Sequence, residues 1–256
     1  MTKAGQIGFS QRIQLDWLEK TANLVLAGMD RKEISQRLQE HLLDELSVGG
    51  TSQRGNREKA ISVLLRIWFT GRHEWPFLRE QGLELLRATH VRQHMAIHWG
   101  MSMAVYPFFG SVAEATGRLL HLQETVGSAQ IQRRLRERFG ERETVFRAAR
   151  RILRVFADWN ILEGTQTKGM YQLKDGKSPL NNDVIAVWML MTRLASGDGR
   201  PESLRSMVNH PCFFPFQLQT PTVGELDSTK GLLISHHGID NEIMLSLDNS
   251  LYAPRK

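Results

Sequence analysis

A single cysteine in 256 residues, Cys212, rules out an internal disulfide and any zinc site built from several thiolates. Beside Phe213 and Phe214, it reads as a buried, inert side chain. The chain also lacks any uninterrupted apolar run of about 18 residues, the length needed for a membrane-spanning helix. Its start, Met1 to Ser10, lacks the basic-then-apolar layout of a secretory signal. Both absences lead us to expect a cytoplasmic protein without a membrane partner. Missing as well are the GxxxxGK[ST] phosphate loop, GxSxG and GxGxxG, so neither nucleotide hydrolysis nor a cofactor is expected. What remains is an ordinary globular composition, 41% hydrophobic and 23% charged, which is rich enough in apolar residues to bury a core.

The charge is distributed unevenly. The net excess is +6, and residues 131–154, IQRRLRERFGERETVFRAARRILR, hold nine Arg against three Glu. Those 24 residues therefore account for the whole surplus, because basic and acidic residues balance at 24 each elsewhere. Concentrated positive charge points to an anionic partner.

Apolar periodicity orders the chain into three regions: a helical domain over 1–106, a central domain over 107–176 and a small α+β unit over 177–256. In the first, Ile13, Trp17, Leu18, Leu24 and Leu26 mark a helix ended by Gly28. Asp30 with Glu33 forms a capping box that opens a second helix, through about Leu46. Ser47 to Asn56 reads as an exposed loop, and helices follow over Arg57 to Phe69, from Pro76 to about Thr89, and over His90 to Tyr106. In the central region, a helix after Pro107 leads to a second over Ser128 to Phe139, capped by Ser128 and broken at Gly140. A third runs from about Arg142 to Trp159. The period then becomes alternating, giving strands over Ile161 to Thr165 and Gly169 to Leu173 around the turn Gln166, Thr167, Lys168. Beyond it come helices over Asn182 to Ala195 and Ser203 to Val208, then strands and turns over Phe213 to Leu218, Leu232 to His236 and Ile243 to Leu247.

Three helices followed by a hairpin over residues 107–174 resemble the winged helix-turn-helix family, about a quarter of the chain. On a wheel at about 100° per residue, Val145, Ala149, Ile152 and Phe156 of the third helix share one stripe. Thr144, Arg147, Arg151 and Arg154 gather roughly opposite, flanked by Arg150. An outward arginine face suits entry into the major groove, where guanidinium forks meet guanine edges or phosphate oxygens. Arg133, Arg134 and Arg142 are candidates for phosphate contacts, and Lys168 at the hairpin tip for an adjacent groove. The opposing reading is a solvated face on which Glu137, Glu141 and Glu143 neutralise the arginines.

Other clusters carry weaker signals. His90, His94 and His98 climb one side of a helix at a spacing used by zinc ligands, but no HExxH pattern and no evident carboxylate completes a site. Asp227, Lys230, Asp240 and Glu242 match no nuclease spacing, so no metal and no catalytic residue is expected. The runs Tyr106 to Phe109 and Phe213 to Phe216 read as core rather than as platforms for bases.

The expected fold is thus mainly α, with a helical N-terminal domain, a central winged helix-turn-helix and a small C-terminal α+β unit. The expected function is non-enzymatic binding of double-stranded DNA. The helical N-terminal part followed by a winged helix is similar to the small DNA-binding accessory protein of bacterial BREX phage-exclusion systems. That resemblance implies an antiviral-defence role beside ATPase, methyltransferase or nuclease subunits. A transcriptional regulator and a protein-interaction adaptor are the alternatives.

Overall fold

Helix ends are fixed by a few side chains. In a computed structural model describing residues 8–46, 55–197 and 200–253, α1 (Leu15–Leu26) closes on Gly28. The φ of +76° there lets Gly28 donate to the Val25 carbonyl while Met29 reaches back to Leu24, a Schellman end. α2 (Arg31–His41) opens on the expected capping box: the Asp30 carboxylate accepts the Glu33 N–H at 2.9 Å, and Glu33 Oε2 accepts that of Asp30 at 2.8 Å. It stops at His41 rather than near Leu46, and turns follow. The loop expected over Ser47 to Asn56 falls largely outside the described residues, and Asn56 already belongs to α3 (Asn56–Leu65). A π-helical turn, Arg66–Thr70, extends α3 and ends on Gly71 at φ +69°. α4 (Pro76–Ala88) carries its proline in the first turn, as expected. His90 does not open the next helix. Its Nδ1 accepts the Arg92 N–H at the head of a 3-10 turn, Val91–Gln93, and α5 (His94–Val105) follows.

In the central region α6 (Pro107–Leu122) leads into β1 (Thr125–Gly127), α7 (Ser128–Phe139), α8 (Glu143–Asp158) and the hairpin β2 (Leu162–Gly164) with β3 (Met170–Leu173). The three strands form one antiparallel sheet in the order β1-β3-β2, with Val126 opposite Tyr171 and Glu163 opposite Gln172. The order is helix, strand, helix, helix, hairpin, with β1 added to the elements expected. Ser128 is not the cap. Gly127 holds that position, and Gln130 Oε1 accepts its N–H at 2.8 Å. Gly140, at φ +77°, breaks α7 as expected.

Beyond the hairpin lie β4 (Ser178–Leu180), α9 (Asp183–Ser196), β5 (Glu202–Ser203), α10 (Leu204–Val208) and β6 (Phe216–Leu218), then α11 (Val223–Asp227), β7 (Leu232–His237) and β8 (Glu242–Leu247). β4 pairs in parallel with β6, and β5, β8 and β7 form a second antiparallel sheet. The chain is mainly helical with small sheets. Among the described residues no helix is long and apolar enough to cross a membrane.

The core is continuous from Phe9 to Leu247. α5 is buried along its whole length from Ala96 to Val105, and α9 nearly so, which marks both as interior helices. They approach closely at Gly100, where a Cβ would lie 2.6 Å from the Trp188 ring. Trp99 of α5 joins the regions. Its ring centre lies 5.0 Å from that of Phe109 in α6, 4.8 Å from Phe156 in α8, 5.5 Å from Phe214 and 5.8 Å from Phe216. Its indole N–H donates to the Cys212 carbonyl at 3.1 Å, while the Trp159 indole donates to the Ile13 carbonyl at 2.9 Å. Tyr106, Phe108, Phe109, Phe213, Phe214 and Phe216 are all buried, so both aromatic runs are core.

Cys212 is buried too, and that burial pushes its thiol pKa far up. The folded protein is expected to give no reaction with Ellman's reagent at pH 8 over minutes, and one equivalent once denatured. Prompt labelling of the native protein would contradict this packing.

Candidate nucleic-acid interface

α8 owes its position to one broad apolar side. Val145, Ala148, Ala149, Ile152, Leu153, Val155 and Phe156 are buried. On a helical wheel they span an arc of about 160°, wider than the four-residue stripe the sequence suggested. Opposite the centre of that arc runs a ridge of Glu143, Arg147, Arg150, Arg154 and Asp158. Arg147, Arg150 and Arg154 are exposed. The outward face is therefore rotated from the one expected: Arg150 belongs to its centre, whereas Arg151 is half-buried and Thr144 lies with it on the flank.

The ridge is closed at both ends by acids. Glu143 Oε1 accepts Arg147 Nε–H at 2.9 Å and lies 3.6 Å from Arg150 Nη2. At the far end Asp158 accepts Arg12 Nε–H at 3.0 Å. The neutralisation foreseen for the acids is thus partial. Glu141 pairs with Arg136 at 3.2 Å, and Arg138 meets Glu114 of α6 at 3.3 Å. Arg133, Arg134, Arg142, Arg151, Arg154 and Lys168 have no acidic partner among the described residues; Arg142 donates to the Phe139 carbonyl at 3.0 Å.

The arginines of α7 divide between two neighbours. Arg134 shares a ridge with Arg138, one turn on, and so faces the Glu114 side of α6. Arg136, not Arg134, reaches α8, stacking 5.5 Å from the centre of the Phe146 ring. Arg133 lies between these flanks, opposite the buried Ile131 and Leu135. Lys168 sits exposed at the hairpin tip, as expected. Lys174 and Lys177 are exposed just after β3, at the open end of the hairpin, and Lys174 Nζ donates to Asn160 Oδ1 at 3.0 Å.

The histidine spacing has a different outcome. A carboxylate does come near: Glu19, from α1, lies between His94 and His98. The Trp68 indole donates to His98 Nδ1 at 3.1 Å, so the proton of that ring is on Nε2, which donates to Glu19 Oε2 at 2.9 Å. His94 sets Nδ1 3.0 Å from the same oxygen and Nε2 3.1 Å from the Thr89 carbonyl. Hydrogen bonds from His98 and His94 hold Glu19 down to about 2, and burial lowers the pKa of His98. Each ring nitrogen of the two histidines already has a partner, so the cluster ties α1 to α5. His90 stands apart at the 3-10 turn.

Asp227 and Lys230 precede the start of β7, whereas Asp240 and Glu242 lie at its other end, in the turn and at the start of β8. Among the described residues the one His/carboxylate trio with donor atoms within 4.8 Å is Asp16, His41 and Glu45, all exposed. No protein family, curated protein or solved structure matches the chain.

Proposed function

We propose that this protein binds double-stranded DNA without catalysing a reaction, presenting α8 to the major groove and the β2–β3 hairpin to the neighbouring phosphates. The supporting observation is the ridge of Arg147, Arg150 and Arg154 directed away from the core, with Arg154, Arg133 and Lys168 free of acidic partners among the described residues. Duplex DNA carries condensed counterions, and each phosphate neutralised by a guanidinium releases them, so binding gains entropy from low salt. Arg142, Arg151 and Thr144 flank the ridge and supply further phosphate contacts, with Arg134 at the outer edge of the surface. Partners in the cell are then DNA and other subunits of a complex. By its resemblance to the BREX accessory protein, we place it as a DNA-binding component of a bacterial phage-defence system.

A salt-titrated gel shift tests the reading. With about four arginines on phosphates, log affinity falls against log salt with a slope near −3.6. Changing Arg147 and Arg154 together to Glu abolishes retention at moderate salt with an unchanged circular dichroism spectrum, since both side chains lie outside the core. Retention by that variant equal to wild type refutes the interface. Footprinting separates roles: two protected half-sites about one helical turn apart identify a regulator, and a single protected stretch an accessory.

A further inference from the structure

Glu143, the one acid at the α8 end nearest α7, holds its two arginines unequally. Its Oε1 accepts the Nε–H of Arg147 at 2.9 Å, but stands 3.6 Å from Arg150 Nη2, beyond hydrogen-bond distance. Which guanidinium nitrogen is held determines where the rest of the group points. The five N–H donors of arginine lie in one plane, and a bond to Nε fixes that plane while leaving the end formed by Nη1 and Nη2 unoccupied. Arg147 is 64% exposed and has no other partner among the described residues. The unoccupied end is the one whose two parallel donors match O6 and N7 of guanine. A phosphate requires no such orientation, because it can be met by any donor pair from many directions.

We propose that Arg147 reads a guanine edge and that Glu143 is its positioning residue, giving the DNA-binding surface a preference at one base pair. The proposal rests on the duplex-binding reading above and adds to it a base and an orienting group. Arg150, near Glu143 but not bonded to it, remains a phosphate contact. Glu143 also offsets positive charge on the ridge, which restrains binding to unsorted sequence.

The test is selection from a randomised duplex library at fixed salt, comparing the full-length wild type with Glu143→Ala, Glu143→Gln and Arg147→Lys. Wild type is expected to enrich guanine at one position on the order of 10-fold. Glu143→Ala reduces that enrichment to about twofold or less while still retaining DNA, because it frees the fork, and Arg147→Lys, which keeps donors for guanine but not the planar fork, lowers it part of the way. Glu143→Gln keeps an oxygen acceptor for Nε–H but loses the charge, so it preserves the enrichment and binds the unsorted pool more tightly. A purely structural Glu143 at the helix start changes the melting temperature and leaves the base ratio unmoved, which overturns the proposal. So does a wild type that retains DNA in a salt-dependent way with no enriched G·C pair, or one whose enriched G·C pair is unaffected by Arg147→Lys, as when Glu143 itself accepts from the cytosine amine. A wild type that retains no duplex at any salt brings down the duplex-binding reading and this inference with it.

Discussion

Gly117→Ala is expected to lower the melting temperature by on the order of 10 °C. A Cβ at this position of α6 would lie 2.0 Å from the Pro211 carbonyl oxygen and 2.8 Å from Phe214 Cβ. The obstructing atom belongs to the backbone, so no side chain can swing aside. α6 and the 3-10 turn Pro211–Phe213 must then separate. Overpacking of this kind costs roughly 3 kcal/mol, and each kcal/mol is worth about 2–4 °C in a chain of this size. Gly224→Ala is the matched control, because nothing lies within 4 Å of a Cβ there and α11 tolerates alanine. Thermal melts of the two variants should differ sharply, and equal melting temperatures would mean that α6 and the Pro211 turn are not in contact.

Acid is expected to unfold the protein in two stages, with the buried histidines acting first. His98 is kept neutral by burial, and the groups facing it are Glu19 from α1, His94 from its own helix and Trp68 from the π-helical turn. His210 is lowered to about 4 by burial and by Arg193. Unfolded histidines titrate near 6.5. Below that pH the unfolded chain takes up protons that the folded chain refuses, so stability falls as pH drops. The loss approaches about 1.4 kcal/mol per pH unit for each such histidine. Glu19 adds the second stage: held at about 2 when folded, it contributes stability above the unfolded carboxylate range and loses it as pH falls from about 4.5 toward 2. Urea midpoints between pH 8 and pH 3 measure this. His98→Gln, whose amide offers an acceptor to Trp68 and a donor to Glu19, should flatten the dependence between pH 6.5 and 5. An unchanged slope in that variant would rule out His98 as a source.

Local chemistry made some of this architecture legible. Asp30 with Glu33, Gly28 after the first helix, Pro76 and Gly140 each act on backbone within four or five residues of themselves, and the structure places the corresponding ends where those residues stand. β1 was not legible, because Thr125–Gly127 has no alternation of its own and becomes a strand only by pairing with β3. β4, with Pro179 at its centre, likewise exists through its parallel partner β6. α11 left a readable trace in Thr222 and Glu225, a capping box overlooked because the helix it opens spans only five residues.

At the candidate interface, sequence reading identified the arginine helix but misjudged its rotation. Four core residues define a direction only coarsely; Ala148, Leu153 and Val155 enlarge the buried arc and push Arg151 to its margin. The meeting of Glu19 with two histidines more than 70 residues away depends on how α1 packs on α5, which no local spacing encodes.

Because the indole of Trp99, in the N-terminal region, is gripped at once by rings from the central and C-terminal regions, α8 has no swivel beneath it. Seating α8 on a duplex would fix the bearing of the entire body. The strands of the last sheet would then point at a set angle from the DNA axis, and whatever docks on them would inherit its aim from the double helix.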